Sequence, residues 1–115
     1  MQLDTIFTKI INKELNSNII FEDDHILAFE DANPCAPIHF LIIPKKKIRS
    51  INEISEDDSN LIGKMFIVAR DIAKKKKIAK DGYRLVINCN ENGGQTVYHL
   101  HMHMIAGKKL NWPPG

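Results

Sequence analysis

Three histidines occupy alternate positions near the end of the chain, at His99, His101 and His103. In a β-strand, alternate side chains project from the same face, so this spacing predicts three imidazoles on one side of a strand. An imidazole with a pKa of ~6.5 can act as a nucleophile or exchange a proton at neutral pH. The pattern therefore indicates nucleophilic and acid–base catalysis. The central His101 is the natural nucleophile because it is flanked on both sides.

Zinc binding and a purely structural role are the alternatives for these histidines. A His-x-His pair on a strand can ligate zinc. However, two residues along a strand advance about 6.6 Å, so His99 and His103 can hardly share one ion. A metal site would need a neighbouring pair plus a ligand such as His39, and no carboxylate or cysteine lies close in sequence to complete it. We therefore expect neither a metal nor a cofactor.

A glycine-containing turn directly precedes the histidines. Residues 92–96 include Gly93 and Gly94, which allow a ligand to approach the backbone closely. Successive backbone N–H groups in such a turn can bind a phosphate. Joined to the three histidines, the turn favours a phosphoryl-transfer site.

Five β-prone segments and two helical patterns surround these residues. The strands are predicted at residues 19–22, 26–30, 39–43, 83–88 and about 96–105, with the first two forming a hairpin and residues 31–37 a loop. Tyr98, Leu100, Met102 and Met104 should form the apolar face of the last strand. Strands grouped in hairpins without regular strand–helix alternation predict an α+β fold with a mainly antiparallel sheet.

The helical patterns differ in length. Apolar residues from Ile6 to Leu15 predict a short amphipathic helix capped by Asp4 or Thr5. The long helix should begin at Ser55, with Asp58 as the acidic member of a capping box, and stop before residues 81–82.

Composition sets the remaining limits. The chain has 115 residues and a formal charge of +2, and no Pro/Gly/Ser-rich stretch divides it, so we expect one domain over residues 1–115 with a tail at 107–115. A domain this small favours a homodimer. The lysine run at 74–77 reads as a solvated helix end rather than a nucleic-acid site. The chain has no Cys-x-x-Cys pair and no apolar run near ~20 residues, so we expect a cytosolic protein that has no membrane or nucleic-acid partner. Its small size would also allow a nuclear population.

Several segments together resemble one known family. Residues 94–105 read GQTVYHLHMHMI, with histidines separated by single apolar residues, and the chain ends in Trp112, Pro113, Pro114 and Gly115. Further matching segments are residues 4–7, 20–24, 36–41 and 43–46. The sequence resembles the histidine triad (HIT) nucleotide-binding proteins. The Trp-Pro-Pro-Gly ending resembles that of the branch whose members hydrolyse nucleoside phosphoramidates.

This resemblance implies an activity and a mechanism. The expected activity is hydrolysis of AMP or GMP derivatives with a P–N bond, or of aminoacyl adenylates, by a homodimer whose two α+β protomers join their sheets. His101 would form a covalent nucleotidyl intermediate, oriented by the carbonyl of His99. His103 would contact the phosphate and the leaving group, and His39 would complete a relay with His103.

The resemblance also implies a nucleotide-binding set. Asn88 and the backbone at Gly94 and Gln95 would bind phosphate, Thr96 and Trp112 would lie on the leaving-group side, and Asp31 would accept hydrogen bonds from the ribose. The base pocket would be walled by Ile6, Phe7, Leu15, Phe29 and Leu41, although all of these except Ile6 could equally be ordinary core.

Other functions fit parts of the sequence less well. A dinucleoside polyphosphate hydrolase of the same superfamily would share the three histidines but lack the Trp-Pro-Pro-Gly ending. A galactose-pathway nucleotidyltransferase would be longer, and a DNA-repair deadenylase would carry a zinc module. A nucleotide-binding scaffold protein is the alternative outside enzymes, and the complete set of histidines argues against a purely non-enzymatic role.

Overall fold

A five-stranded antiparallel sheet forms the centre of the computed structural model, which describes residues 3–115. In chain order the elements are α1 (Ile6–Ile11), β1 (Ile19–Glu22), β2 (Ile26–Glu30), β3 (Ile38–Pro44), α2 (Ser59–Lys75), β4 (Arg84–Val86) and β5 (Met102–Ala106). Two 3-10 turns, Ile51–Glu53 and Glu56–Asp58, precede α2. The strand order is β1-β2-β3-β5-β4, so β5 lies between β3 and β4. The predicted α+β fold is confirmed.

Alternating apolar side chains give the sheet two covered faces. On one face, Ile26, Ala28, Ile42, Met102 and Met104 pack with the buried side of α2. On the other face a smaller apolar cluster contains Phe7 and Ile10 of α1 with Leu27, Phe29, Leu41 and Ile43. Strands β2 and β3 contribute to both clusters, which explains why both are almost completely buried.

The last two strands along the chain are shorter than predicted. Only Arg84–Val86 forms β4, although residues 83–88 were predicted, and β5 begins at Met102 rather than near residue 96. Residues before Met102 pair elsewhere: the Leu100 N–H donates to the Ile48 carbonyl at 2.7 Å. Tyr98 was predicted on the apolar face, but it is only partly buried and its ring lies under the Arg49 guanidinium.

The first helix begins where expected but is shorter than predicted, and the second begins later than the predicted Ser55. Thr5 caps α1, and its hydroxyl accepts the Phe7 N–H at 3.1 Å. The helix stops at Ile11 because Lys13 adopts a left-handed conformation with φ of 64°, so Leu15 lies outside it. Ser55 and Asp58 form the predicted capping box, but the first turn it caps is 3-10 and α2 proper begins at Ser59.

None of the helices within residues 3–115 combines the length and the apolar character that a membrane crossing requires.

Candidate active site

His101 sits immediately before β5, with its ring oriented by the backbone. Its Nδ1 lies 2.7 Å from the carbonyl oxygen of His99. A carbonyl can only accept, so Nδ1 carries the proton and Nε2 carries the lone pair. The ring of Phe7 contacts the imidazole edge-on, with centroids 5.1 Å apart, and holds it from the side. His101 is therefore a neutral imidazole with a nucleophilic nitrogen held in a fixed direction.

His39 and His103 form a hydrogen-bonded pair between β3 and β5. Their Nε2 and Nδ1 atoms are 2.9 Å apart. The backbone N–H of Cys35 donates to His39 Nδ1 at 3.1 Å, so His39 carries its proton on Nε2 and donates it to His103. His103 is then left with its own proton on Nε2. Its ring lies 5.0 Å from that of His101, which puts a nucleophile and a proton-bearing imidazole side by side.

His99 differs from the other two histidines of the motif because it fastens two segments together. It is fully buried, and its Nε2 donates to the Pro44 carbonyl at 2.7 Å. Its Nδ1 is buried without a hydrogen-bond partner in the described part of the chain. The side chain of His99 thus connects the end of β3 to the segment that leads into β5, while its carbonyl orients His101.

Burial lowers the pKa of all three histidines. Desolvation is the main cause for His99 and His101. Desolvation, reinforced by the charges that His101 and His39 would carry when protonated, lowers the pKa of His103 to about 4. The imidazoles of His99, His101 and His103 are therefore neutral at pH 7, in agreement with the hydrogen-bond pattern.

A cavity of about 380 Å³ opens beside these imidazoles. His101 and His103 lie at one end, and Asp31 and Thr96 also line it. All five predicted base-pocket residues are among its walls: Ile6, Phe7, Leu15, Phe29 and Leu41. The volume falls within the range of sites for small ligands, and the mixture of apolar walls and a few polar groups is typical of them.

Asp31 follows β2 and lies at the edge of this cavity. One carboxylate oxygen accepts the Asn33 N–H at 2.8 Å, and the other lies 3.4 Å from His39 Nε2. Metal-ligating atoms of Asp31, His39 and His103 all lie within 4.8 Å of one another, so this trio is where a cation would fit best. His39 Nε2 and His103 Nδ1 are joined by a hydrogen bond, which a cation bound to these two atoms would have to replace.

The turn before the histidines differs from the expectation of a phosphate cradle. The N–H groups of Gly94 and Gln95 both donate within the turn, to the carbonyls of Glu91 and Asn90 at 3.0 Å. The Gln95 side chain is buried and bonds Arg49 O, Val97 O and Asn90 N. Gln95 therefore holds the turn together, and neither N–H points to a ligand. Of the residues in this turn that were predicted to bind the nucleotide, Thr96 lines the cavity and Gly94 and Gln95 do not.

Two further predicted residues lie outside the cavity walls. Asn88 follows β4, where Val86 pairs with His103; continuing that register would bring Asn88 opposite His101, but the regular strand has ended. Trp112 is 82% exposed in this chain and does not line the cavity, so its place on the leaving-group side stays a prediction. Its neighbour Asn111 is held by Arg84, which donates to the Asn111 carbonyl at 2.7 Å.

Sequence reasoning missed several residues that line or support the cavity. Ile10 follows Phe7 by three positions on α1, so helical periodicity could have indicated it. Asn16, Ser17 and Asn33 line the cavity from loops, where no periodic signal exists. The Cys35 N–H that orients His39 is a backbone group and has no signature in the side-chain pattern.

Comparison with known proteins places this arrangement in a family. The HIT domain family matches residues 12–110. The chain is 47% identical over 110 residues to the purine nucleoside phosphoramidase of Escherichia coli (strain K12), covering 96% of this chain and 92% of that protein. It is 52% identical over 106 residues to an uncharacterized HIT-like protein of Buchnera aphidicola subsp. Baizongia pistaciae, covering 92% of this chain and 95% of that protein.

The fold agrees with the sequence match. The crystal structure of a HIT family hydrolase from Legionella pneumophila Philadelphia 1 superposes with a TM-score of 0.95 at 46% identity, covering 97% of this chain and all of the other. With the three alternating histidines, the five-stranded sheet and a family match over most of its length, this chain belongs to the HIT domain family.

Proposed function

We propose that this protein is a purine nucleoside phosphoramidase, a hydrolase that releases a nucleoside monophosphate through a covalent nucleotidyl intermediate on His101. The observation that carries the proposal is the hydrogen bond from His101 Nδ1 to the His99 carbonyl, since it leaves a lone pair on Nε2 beside the cavity. The 47% identity to a phosphoramidase supports the same chemistry.

The first step forms a phosphorus–nitrogen bond to His101 and breaks the one to the leaving amine. The Nε2 lone pair attacks phosphorus, and the electron pair of the broken P–N bond leaves with the amine nitrogen, which takes up one proton. Burial lowers the pKa of His103 to about 4. An anionic phosphoryl group nearby raises the pKa of an imidazole, so substrate binding can load the His39–His103 pair with the proton that the amine requires.

The second step regenerates the enzyme. Water attacks the phosphorus of the intermediate, the P–Nε2 bond breaks, and its electron pair returns to His101. The proton released by water returns to the His39–His103 pair. Throughout, His101 keeps its Nδ1 proton on the His99 carbonyl, which stabilises the positive charge that the ring carries while phosphorylated.

The remaining contacts fit a purine nucleotide. We place the base between the apolar walls formed by Ile6, Phe7 and Phe29, and the ribose hydroxyls at Asp31, which has to share its oxygens with Asn33 and His39. Thr96 faces the leaving-group side. Asn88 remains our candidate for the phosphate on the β4 side. We expect activity to survive EDTA.

The experiment is turnover on a panel of adenosine, guanosine and pyrimidine phosphoramidates and a dinucleoside polyphosphate, combined with rapid quenching of labelled substrate. Purine phosphoramidates should react fastest, and label should appear on a peptide containing His101. Faster cleavage of the dinucleoside polyphosphate would overturn the substrate assignment. Label confined to His99 or His103 would overturn the mechanism, and loss of activity with EDTA that zinc restores would show metal dependence.

We further propose that the protein acts as a homodimer. Phe66 and Ile67 of α2 are 47% and 46% exposed, and β4 forms an edge of the sheet. A second copy would cover both, and would offer a surface to the exposed Trp112. Light scattering should report about twice the chain mass, and deletion of residues 111–115 should change substrate preference more than stability. A fully active monomer would contradict the dimer.

A further inference from the structure

A second cavity of about 510 Å³ adjoins the one beside the histidines. Ile6, Thr96 and Val97 line both cavities, so the two are neighbours separated by these side chains. The outer walls of the second cavity are Leu3, Asp4, Thr5, Arg49 and Tyr98. Thr96, which we place on the leaving-group side, therefore borders both cavities, as does Ile6 of the proposed base pocket.

Arg49 is the distinctive group in this second cavity. Its guanidinium carbon lies 4.1 Å from the centroid of the Tyr98 ring, which is the distance of a stacked cation–π contact. Stacking occupies the face of the guanidinium and leaves its N–H edge for a planar anion. A carboxylate matches that edge with two parallel hydrogen bonds.

The charges around the cavity leave Arg49 available. Within residues 3–115, ion pairs join Lys13, Lys45, Lys46, Lys47 and Lys64 to carboxylates, whereas Arg49 has no such pair. The only carboxylate among the lining residues, Asp4, is paired with Lys47. Among the described residues that line the cavity, Arg49 is therefore a cation without a carboxylate partner.

The backbone of Arg49 is fixed relative to the catalytic segment. Gln95 Nε2 donates to the carbonyls of both Arg49 and Val97, at 2.9 and 3.1 Å. One residue earlier, the Ile48 carbonyl accepts the Leu100 N–H at 2.7 Å. These bonds tie the backbone of Arg49 to the turn that carries Thr96 and leads to His101, and the contact with the Tyr98 ring restrains the guanidinium.

From this placement we propose that the second cavity is a leaving-group subsite in which Arg49 selects amines that carry a carboxylate, such as amino acids joined to the nucleotide through nitrogen. The inference rests on the proposed phosphoramidase function and deepens it. Ile6 and Val97 would contact the apolar part of the leaving group, and Tyr98 would hold the guanidinium in position. No new reaction step is involved, because the amine leaves as described above.

The test uses two adenosine phosphoramidates that differ in one group: an amino acid with a free carboxylate, and its uncharged amide. The wild-type enzyme should prefer the carboxylate in kcat/KM by about tenfold, the size expected for one charge-assisted hydrogen bond. Arg49→Gln should bring the ratio close to one, and Arg49→Lys should give an intermediate ratio because it keeps the charge but loses the planar fork. Arg70→Gln, which removes an exposed arginine on α2, is the matched control and should keep the wild-type ratio.

The outcomes separate the two proposals. If wild-type enzyme fails to cleave unsubstituted adenosine phosphoramidate, the proposed function itself fails. If it cleaves that substrate but shows equal kcat/KM for the carboxylate and the amide, or if Arg49→Gln keeps the wild-type ratio, the leaving-group subsite is overturned while the function stands.

Discussion

The two faces of the sheet are made from the same strands but have opposite properties. The face under α2 is filled by side chains such as Met65, Ile42 and Met104, all fully buried. The face under α1 has a smaller apolar cluster, and beside it a cavity lined by two histidines and an aspartate. A helix of 17 residues covers the first face, whereas a helix of six residues covers the second.

The difference shows how a domain of this size carries both a core and a site. Alternation along β5 sends Met102, Met104 and Ala106 to the filled face and His103 to the open one. Because neighbouring residues of one strand serve the two purposes, stability and catalysis should be separable by single substitutions. The predictions below test that separation, beginning with the largest expected effect.

His101→Ala should abolish turnover while leaving the fold intact. Removal of a nucleophile should cost more than the ~10²–10⁴-fold typical of a general acid–base contact. The unfolding free energy should change little by comparison, because His101 lies beside the cavity rather than in the filled core. Steady-state kinetics and denaturant unfolding measure both quantities. His25→Ala, at the exposed β1–β2 turn, is the control; activity of His101→Ala near the wild-type level would remove the proposed mechanism.

Met104→Ala, one residue after His103, should show the reverse. Truncation of a fully buried methionine leaves a cavity and typically costs about 2–5 kcal/mol of unfolding free energy. The value of kcat/KM should stay within a few-fold of wild type while the protein is folded. Met104→Leu, which nearly conserves volume, should recover most of the stability. A loss of activity as large as that of His101→Ala would show that the two faces are not independent.

The histidines of the open face should also make the free energy of unfolding depend on pH. The folded pKa of His103 is about 4 and the unfolded value about 6.5, so between these values the unfolded chain binds a proton that the folded chain does not. Stability should therefore fall as pH falls from about 6.5 to about 4, and His99 and His101, whose pKa values are also lowered, should add to the fall.

Thermal unfolding across this pH window measures the effect. His103→Gln should flatten the dependence, whereas His25→Gln removes a histidine outside the site and serves as the control. Acidic groups with lowered pKa values, such as Asp23 at about 2, act mainly below the window. An equal slope in His103→Gln and wild type would show that His103 is not the source.

Thr5→Ala should give the smallest effect, because it loosens only the short helix over the open face. Loss of an N-cap hydroxyl typically costs about 1 kcal/mol. Since Ile6 and Phe7 of this helix wall the cavity, KM for a purine substrate should rise modestly with little change in kcat. Thr5→Ser keeps the hydroxyl and should behave as wild type. A fall in kcat with unchanged KM would contradict this role for α1.

The sequence patterns predicted the elements that depend on local alternation and missed those that depend on distant partners. The β1–β2 hairpin, the Ser55 capping box and the position of His101 and His103 beside one cavity follow from spacing and turn chemistry. The late start of β5 does not, because residues 95–101 bond to the segment at 44–49 through Gln95, His99 and Leu100. The turn expected to bind phosphate donates its N–H groups to carbonyls within the turn, and the Gln95 side chain joins it to Arg49, a distant partner that spacing does not indicate.

The group that orients His101 is a main-chain carbonyl, and this has a consequence for variation at position 99. Every amino acid supplies a carbonyl, so no substitution at that position can delete the acceptor itself. The imidazole of His99 is thereby free to hold Pro44, and a replacement there would act by loosening the path of the chain rather than by removing a chemical group from the nucleophile. Replacing the side chain at position 99 should therefore change the orientation of the His101 ring only if the backbone moves.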